Sequence, residues 1–573
     1  MLRSYLILAF GDIPAVSMVM NMKGHNGLHP CRMCSIKGLR IPGRDRVTTH
    51  YVPLDRTRHP STRADPTATK SYDPAHLPSR SHAQILQQGR AVQLAPSQAA
   101  ADRLSKSTGV KGVSILYQLP SIQFPTSFPY DFMHLIFENV IKNLIKLWTG
   151  DYKDIPEGTG DYQFERTAWD AIGAATGASG DTIPGVFGAR PPDIAQDNTS
   201  STADTWSFWI LHIGPALLSS RFKRPVYYSH FISFVRLVNS CMKFKISRQE
   251  LDLVRQGFRD WVVTFEKLYY QHDPLRIATC PVTIHALLHI ADSIEQMGPV
   301  WTYWAFTMER FCGRVQRAIH SRRFPWANID VHLTAMAQIN QLKLLYGPKI
   351  AQELSLTAPP KARVEGEFRH PSYPTCTLLP PMRRAPIDSS QLDKICIHLQ
   401  TRYNADAADV RQRINIDSIR QYGRVRVLNG GDDMRASELV PLASDRRDAT
   451  WVKYDLLVDR NKHRRRAPEI LVPKSFFGQL MNIYVVEVLA SPQLHLTEPE
   501  TVILARIHSC TPCNTNSLGQ LYYKDMGRYE VVDIHTVQCL VGRVPRRWPN
   551  PDLYAILDRS SDLNHSLYIP DTN

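Results

Sequence analysis

The stretch "FGDIPAVSMVMNMKGHNGLHPCRMC", residues 10–34, decides how this chain is read. A short apolar run, "YLILAF" (5–10), leads straight into Gly11-Asp12. It predicts a strand over 4–10 that ends in an acid. "DIPAVSMVMNMKG" (12–24) then predicts a turn and a short helix stopped by Gly24. A Cys-x-x-Cys pair, Cys31 and Cys34, follows nineteen residues after Asp12. A metal-type motif so close behind a strand-end acid sets the question for the rest of the chain.

The chain has 573 residues, more than one ordinary domain holds, so two to four are expected. Hydrophobic residues make up 43% and charged ones 21%, which suits a globular protein and excludes a disordered one. Lys and Arg outnumber Asp and Glu by 68 to 53, a net charge of +15 that favours a polyanionic partner, nucleic acid first among them. A diffusely basic surface is the competing explanation. Ten cysteines in a chain this long do not make a disulfide framework. No secretory signal precedes Asp12, and no run approaches the ~18 apolar residues of a membrane span. The expectation is a reducing intracellular compartment, where Cys-x-x-Cys reads as metal-binding or redox-active. "RNKHRRR" (460–466) reads as a nuclear import signal or as a solvated basic loop, so the expected location is nuclear, otherwise cytoplasmic.

Residues 38–80 are rich in Pro, Ser, Thr, Arg and His and read as a loop. "SHAQILQQGRAVQLAPSQAAADRLSKS" (81–107) and "DFMHLIFENVIKNLIKLW" (131–148) read as helical. Residues 160–205 read as loop, and 206–347 as an almost wholly helical block rather than a βαβ alternation. A Pro- and Arg-rich stretch, 358–390, reads as a linker, and "SQLDKICIHLQTRYN" (390–404) as one helix. The apolar period then changes to two, predicting a small all-β domain, barrel or sandwich, over 410–548.

His285 and His289 are four apart and share one helix face. With Cys31 and Cys34 they make a candidate Cys2His2 zinc site, closed and therefore structural, that joins distant parts of the chain. A zinc peptidase is excluded: it needs a glutamate directly after the first histidine, and Ala286 stands there. Asp12 and Glu309 form a second candidate set, two carboxylates that can jointly hold Mg2+ (or Mn2+) against a phosphodiester. Singly, each has a simpler reading, Asp12 as a helix cap and Glu309 as a surface charge. Arg310, Arg314, Arg317, Arg322 and Arg323 are candidate phosphate contacts or solvated cations. Cys510, Cys513, His535 and Cys539 permit a second zinc site, against which stands a set of buried cysteines in a β domain.

Four motifs in order, "GDIPAVSMVMNMKGHNGLHPCRMC", "DFMH" (131–134), "HALLH" (285–289) and "MERFCG" (308–313), resemble those of the CACTA (En/Spm-type) transposases of fungal type. The V(D)J recombinase catalytic subunit is a more distant relative of similar layout. The resemblance spans most of residues 1–350, and the β-rich remainder is similar to the tail of these proteins. It implies a ribonuclease H-like core with an Asp-Asp-Glu triad, split by a helical insertion. By position, Asp12 matches the second triad aspartate and Glu309 the glutamate. Cys31, Cys34, His285 and His289 match structural zinc ligands, and Asp131 and His134 an auxiliary Asp-x-x-His motif. His134 reads either as a contact to DNA near the scissile phosphate or as a satisfied histidine on a helix face. Cys312 stands where the family often has Asn.

The first triad aspartate, expected on an upstream strand, has no match, so the chain reads as N-terminally truncated. The expected division is a partial ribonuclease H-like core (1–37), a loop-rich and helical insertion (38–284), core-completing helices (285–350), a linker and helix (351–400), a β-rich domain (401–548) and a tail (549–573). The implied function is DNA cleavage and strand transfer at transposon ends by two metal ions, with the chain itself inactive for want of that aspartate. The alternative is a non-catalytic transposon-derived factor that binds DNA or protein. DNA (transposon ends and target) is the implied partner, homo-oligomerisation is left open, and no membrane is expected.

Overall fold

The computed structural model describes residues 4–560 apart from 45–47, 153–154, 197–200, 354–363, 385–386, 429, 462, 464–465 and 547–552. The chain forms two compact units. One comprises 1–166, 202–211 and 220–361; the other comprises 167–201, 212–219 and 362–573. No helix among the described residues is long and apolar enough to cross a membrane. The basic run 460–466 falls partly outside the described residues.

The first unit is helical. Among its described residues strand-type pairing is limited to isolated bridges such as Met22 with Val110 and Cys34 with Ser79. Its helices begin where side chains can satisfy the free amides of a first turn. Ser81 opens His82–Gln93 and Ser247 opens Arg248–Phe265, each with a reciprocal capping box. Pro96 and Ser97 split the predicted 81–107 helix in two, because the Ser97 hydroxyl caps a separate helix, Gln98–Thr108. Helix Pro225–Cys241 packs on Arg248–Phe265 through His230 stacked on Trp261, ring centroids 4.4 Å apart. Gly257 allows their close approach: a Cβ there would come within 2.4 Å of Leu237. Trp148, Phe222, Phe231 and Tyr269 fill the centre of the unit.

Among its described residues the second unit carries one antiparallel ten-stranded sheet. Its strands are β1 (Cys376–Arg383), β2 (Arg420–Val427), β3 (Asp433–Arg435), β4 (Trp451–Asp459), β5 (Leu471–Val488), β6 (Glu500–Thr515), β7 (Leu521–Asp533), β8 (Val537–Leu540), β9 (Gly542–Arg546) and β10 (Leu553–Leu557). The order is β1-β2-β5-β6-β7-β10-β9, with β3 on β2 and β4 bridging β5 to β8, so the sheet curls back on itself. Alternation along β5 and β6 feeds two cores. Ile483, Val485, Ile503 and Ala505 face the interior of the curl. Tyr484, Val486, Val502 and Leu504 face Leu392, Ile395 and Leu399 of helix Ser389–Tyr403.

Four expectations are corrected. Residues 4–10 form no strand. A strand needs a ladder, and this run has one backbone bond, Ala9 N–H to the Ser127 carbonyl, plus the Ser121 hydroxyl on the Leu6 carbonyl. Tyr5, Leu6 and Ile7 are exposed. Residues 160–205 are not all loop, since Arg166–Ser179 is a helix. Its glycines let a neighbouring loop close in: a Cβ on Gly173 would lie 2.2 Å from Asp193 Oδ1. The linker 358–390 contains β1, an edge strand whose register breaks between Leu379 and Met382, at its two prolines. The helix expected over 390–404 is present as Ser389–Tyr403, and the all-β reading of 410–548 is corrected at its start, where helix Ala407–Arg413 runs into that range and shares a core with the sheet.

Candidate metal centre

Cys31, Cys34, His285 and His289 come together. Their ligand atoms lie within 4.8 Å of one another and all four residues are buried. Cys34 Sγ is 3.1 Å from His285 Nε2, and the two Nε2 atoms are 3.3 Å apart. Tetrahedral zinc with ~2.0 Å bonds to nitrogen sets two such atoms about 3.3 Å apart. Two thiols and two imidazoles with no open fourth position make a closed, structural donor set. These residues can hold a metal ion such as zinc.

The local sequence explains the convergence. His285 lies in the short helix Val282–Ala286 and His289 in the tight turn after it, so the i,i+4 spacing directs both rings inward. The cysteine loop has no regular structure and is tied down by arginines. Arg80 Nε donates to the carbonyls of Cys31 and Cys34 at 3.2 and 3.1 Å. Arg32 donates to the Pro129 carbonyl at 2.8 Å and lies over the Tyr130 ring. Both guanidiniums are buried, so they set positive charge beside the two sulfurs.

The electrostatics favour thiolate at this position. Burial pushes the Cys31 thiol up, but the hydrogen bond from Cys34 and the charges of His289 and His285 outweigh it and hold Cys31 well below the ordinary thiol value. Cys34 goes the other way, raised by burial and by Cys31, as expected when one of two touching thiols ionises first. Asp292 Oδ2 lies 3.9 Å from His289 Nδ1, on the ring nitrogen turned away from the other ligands. A carboxylate behind a metal-facing imidazole orients the ring and raises its basicity.

The acids form a neighbouring cluster around His134. Asp131, buried, accepts through Oδ2 from the His134 amide at 2.9 Å and from Nδ1 at 2.5 Å. Its Oδ1 accepts from the Ala305 amide at 2.6 Å, at the start of helix Phe306–Gln316, which carries Glu309. His134 Nε2 is 3.9 Å from Glu309 Oε1. The hydrogen bond to Asp131, with Asp12 and Glu309 nearby, holds the His134 imidazole above its ordinary value against burial. Asp12 caps helix Ile13–Val19, accepting from the Ala15 amide at 2.6 Å, and lines one cleft with His134. The helix-cap reading of Asp12 is therefore realised, and its place beside His134 comes in addition.

Cys31 links the two clusters. Its Sγ is 3.5 Å from the Tyr130 hydroxyl, and Asp131 is the next residue. Spacing revealed the cysteine and histidine pairs but not Tyr130, Arg32 or Arg80, which act through tertiary contacts. Asp292, three residues after His289 on one helical face, was open to the same spacing argument. Arg310, Arg314, Arg317, Arg322 and Arg323 are all exposed. Cys312 is exposed as well. The second cysteine set does not gather. Cys510 sits in an apolar cluster, Cys513 donates to the Tyr522 carbonyl, and His535 stacks on Tyr373 beside Asp533.

No protein-family model and no curated protein matches the chain.

Proposed function

We propose that the chain is a DNA transposase of the CACTA type, or a protein derived from one, acting on transposon ends in the nucleus. The helical unit would supply part of a ribonuclease H-like core. Asp12 and Glu309 would hold Mg2+ or Mn2+, which stabilises the attacking and leaving oxygens of a phosphodiester. The Cys2His2 group would take zinc and fix the segment before Glu309 relative to the loop after Asp12. The observation that carries this reading is the bridge made by Asp131. One carboxylate holds the His134 imidazole through one oxygen and the start of the Glu309 helix through the other. Motifs 174 residues apart thus meet at Asp131, whose partner His134 lines the cleft with Asp12. The +15 charge and the exposed arginines after Glu309 suit a polyanionic substrate.

Two acids leave the metal pair one ligand short of a triad, so this 573-residue chain by itself is expected to bind DNA without cutting it. The test is a nicking assay on terminal inverted-repeat DNA with Mg2+ or Mn2+. Strong nicking that is abolished by Asp12→Ala overturns the expected inactivity and leaves the transposase reading standing. Failure to bind such DNA at low salt overturns both. A second reading, a non-catalytic DNA- or protein-binding factor, is favoured by Asp12 Oδ1 already being engaged as a helix cap. Salt-dependent binding that Mg2+ and Mn2+ do not strengthen and that Asp12→Ala leaves unchanged selects it.

A further inference from the structure

Beside Asp12 lies a cleft of about 520 Å3, inside the size range of small-ligand sites. Amides, rings and hydroxyls share its lining with apolar side chains such as Ile13, Ile41 and Val282. Among the described residues Asp12 is the one carboxylate in its lining, which also holds Arg44 and three imidazoles, among them His134. Asn26, Asn139 and Asn143 offer side-chain amides, each able to donate and accept in one plane. Thr283 lines the same cleft, is 8% exposed, and its buried Oγ1 has no hydrogen-bond partner. A buried hydroxyl without a partner is a standing energetic deficit that a polar ligand relieves.

The helix that builds one wall is unusual. Met133–Val140 is π-helical and continues as the α-helix Ile141–Thr149. His134 and Asn139 are five apart, a spacing that an α-helix turns about 140° apart. The π turn brings them to one face, where the Asn139 amide donates to the His134 carbonyl at 2.7 Å. Asn143, one α turn on, extends the same polar face into the cleft.

We propose that this cleft takes one unpaired nucleotide of a DNA strand, its base read by the asparagine amides and the Thr283 hydroxyl, next to Asp12. The inference rests on the nuclease reading of Asp12. Planar groups that donate and accept match the edge of a base drawn out of its stack, and the Arg44 guanidinium in the lining suits the attached phosphate. A fully paired duplex offers no base that can enter a recess.

The experiment uses the full chain loaded with zinc and two DNAs. One carries 2-aminopurine in a three-nucleotide single-stranded flap; the other carries it in a fully paired duplex. The expected result is a change of several-fold in probe emission for the flap and little for the duplex, with tighter binding of the flap. Asn143→Phe, which fills the cleft, should bring the flap preference to within about twofold of parity. Thr283→Val, isosteric and lacking the hydroxyl, should lower that preference about three- to tenfold, the worth of one hydrogen bond. Unchanged zinc content and circular dichroism exclude misfolding as the cause. Duplex binding with a silent flap probe overturns the cleft inference alone. Failure to bind either DNA overturns the DNA reading as well. Displacement of the flap by equimolar deoxyadenosine monophosphate overturns the strand assignment and makes the cleft a mononucleotide site.

Discussion

The amide of Ala305 donates to Asp131 Oδ1 at 2.6 Å across 174 residues of sequence. Both residues are buried, and Asp131 spends its other oxygen on His134. One carboxylate therefore fixes the histidine and the start of the helix that bears Glu309.

Asp131→Asn should be the most damaging single change in the acid cluster. An amide cannot accept through both of its heavy atoms, so either Ala305 or His134 loses its partner. A buried donor left unpaired costs about 1–3 kcal/mol, more when the lost bond is charge-assisted. The first unit should unfold at correspondingly lower denaturant. His134→Gln, which leaves the Ala305 bond intact, should cost less. Equal stabilities for Asp131→Asn and the parent would refute the bridging role.

The metal centre predicts about one zinc per purified chain by metal analysis. The double variant Cys31→Ser/His285→Ala should hold none, and retained zinc would sink the assignment. Asp292→Asn keeps all four donors but weakens the support behind His289, so zinc affinity should fall about 10- to 100-fold in a chelator competition. Chelation should also loosen Tyr130 and Asp131, since Cys31 touches the Tyr130 hydroxyl.

Glu266 gives the helical unit a specific pH dependence. It is buried and accepts from the amides of Leu54 and Asp55 at 2.6 and 3.0 Å. Burial outweighs these bonds and raises its carboxyl to about 7. The folded chain then binds more protons than the unfolded chain between about pH 4.5 and 7. The Glu266 contribution is fully present below that window and is lost as pH rises through it. In zinc-saturated protein, stability relative to Glu266→Gln should fall by roughly 3 kcal/mol from pH 4.5 to 7.5. A flat difference would show that the two amide bonds win and that Glu266 is ionised throughout.

What the sequence disclosed, and what it withheld, follows the range of the forces involved. The Cys2His2 quartet was legible because metal-ligand chemistry restricts residue type and spacing within each pair. The helical block over 206–347 was legible because apolar spacing is local, while the start of one of its helices at Ser247 with Glu250 came from the structure. The 4–10 strand was misread because an apolar run says nothing about whether partners are present to pair with it. Helix Arg166–Ser179 was missed because Gly, Thr and Ala look like loop until a packed neighbour, here Asp193, requires small residues. Strand β1 was hidden by Pro380 and Pro381, which an edge strand tolerates at a bulge. The cleft lay beyond sequence reading, since Asn26, Asn143 and Thr283 converge only through the fold.

The π turn at Met133–Val140 bears on how this segment should be compared between chains. A π turn is a helix carrying one residue more than its axial length requires. Remove one residue between His134 and Asn139, and the same three polar side chains fall four apart on the face of a plain α-helix. The local register is therefore indifferent to one codon. Deletion of Glu138, half-buried and paired with Lys142, should leave the polar face intact and the metal content unchanged. Alignments that insist on a fixed count between the Asp-x-x-His motif and the asparagines will separate chains whose helices are the same. Pattern searches for further relatives should accept either three or four residues in that gap.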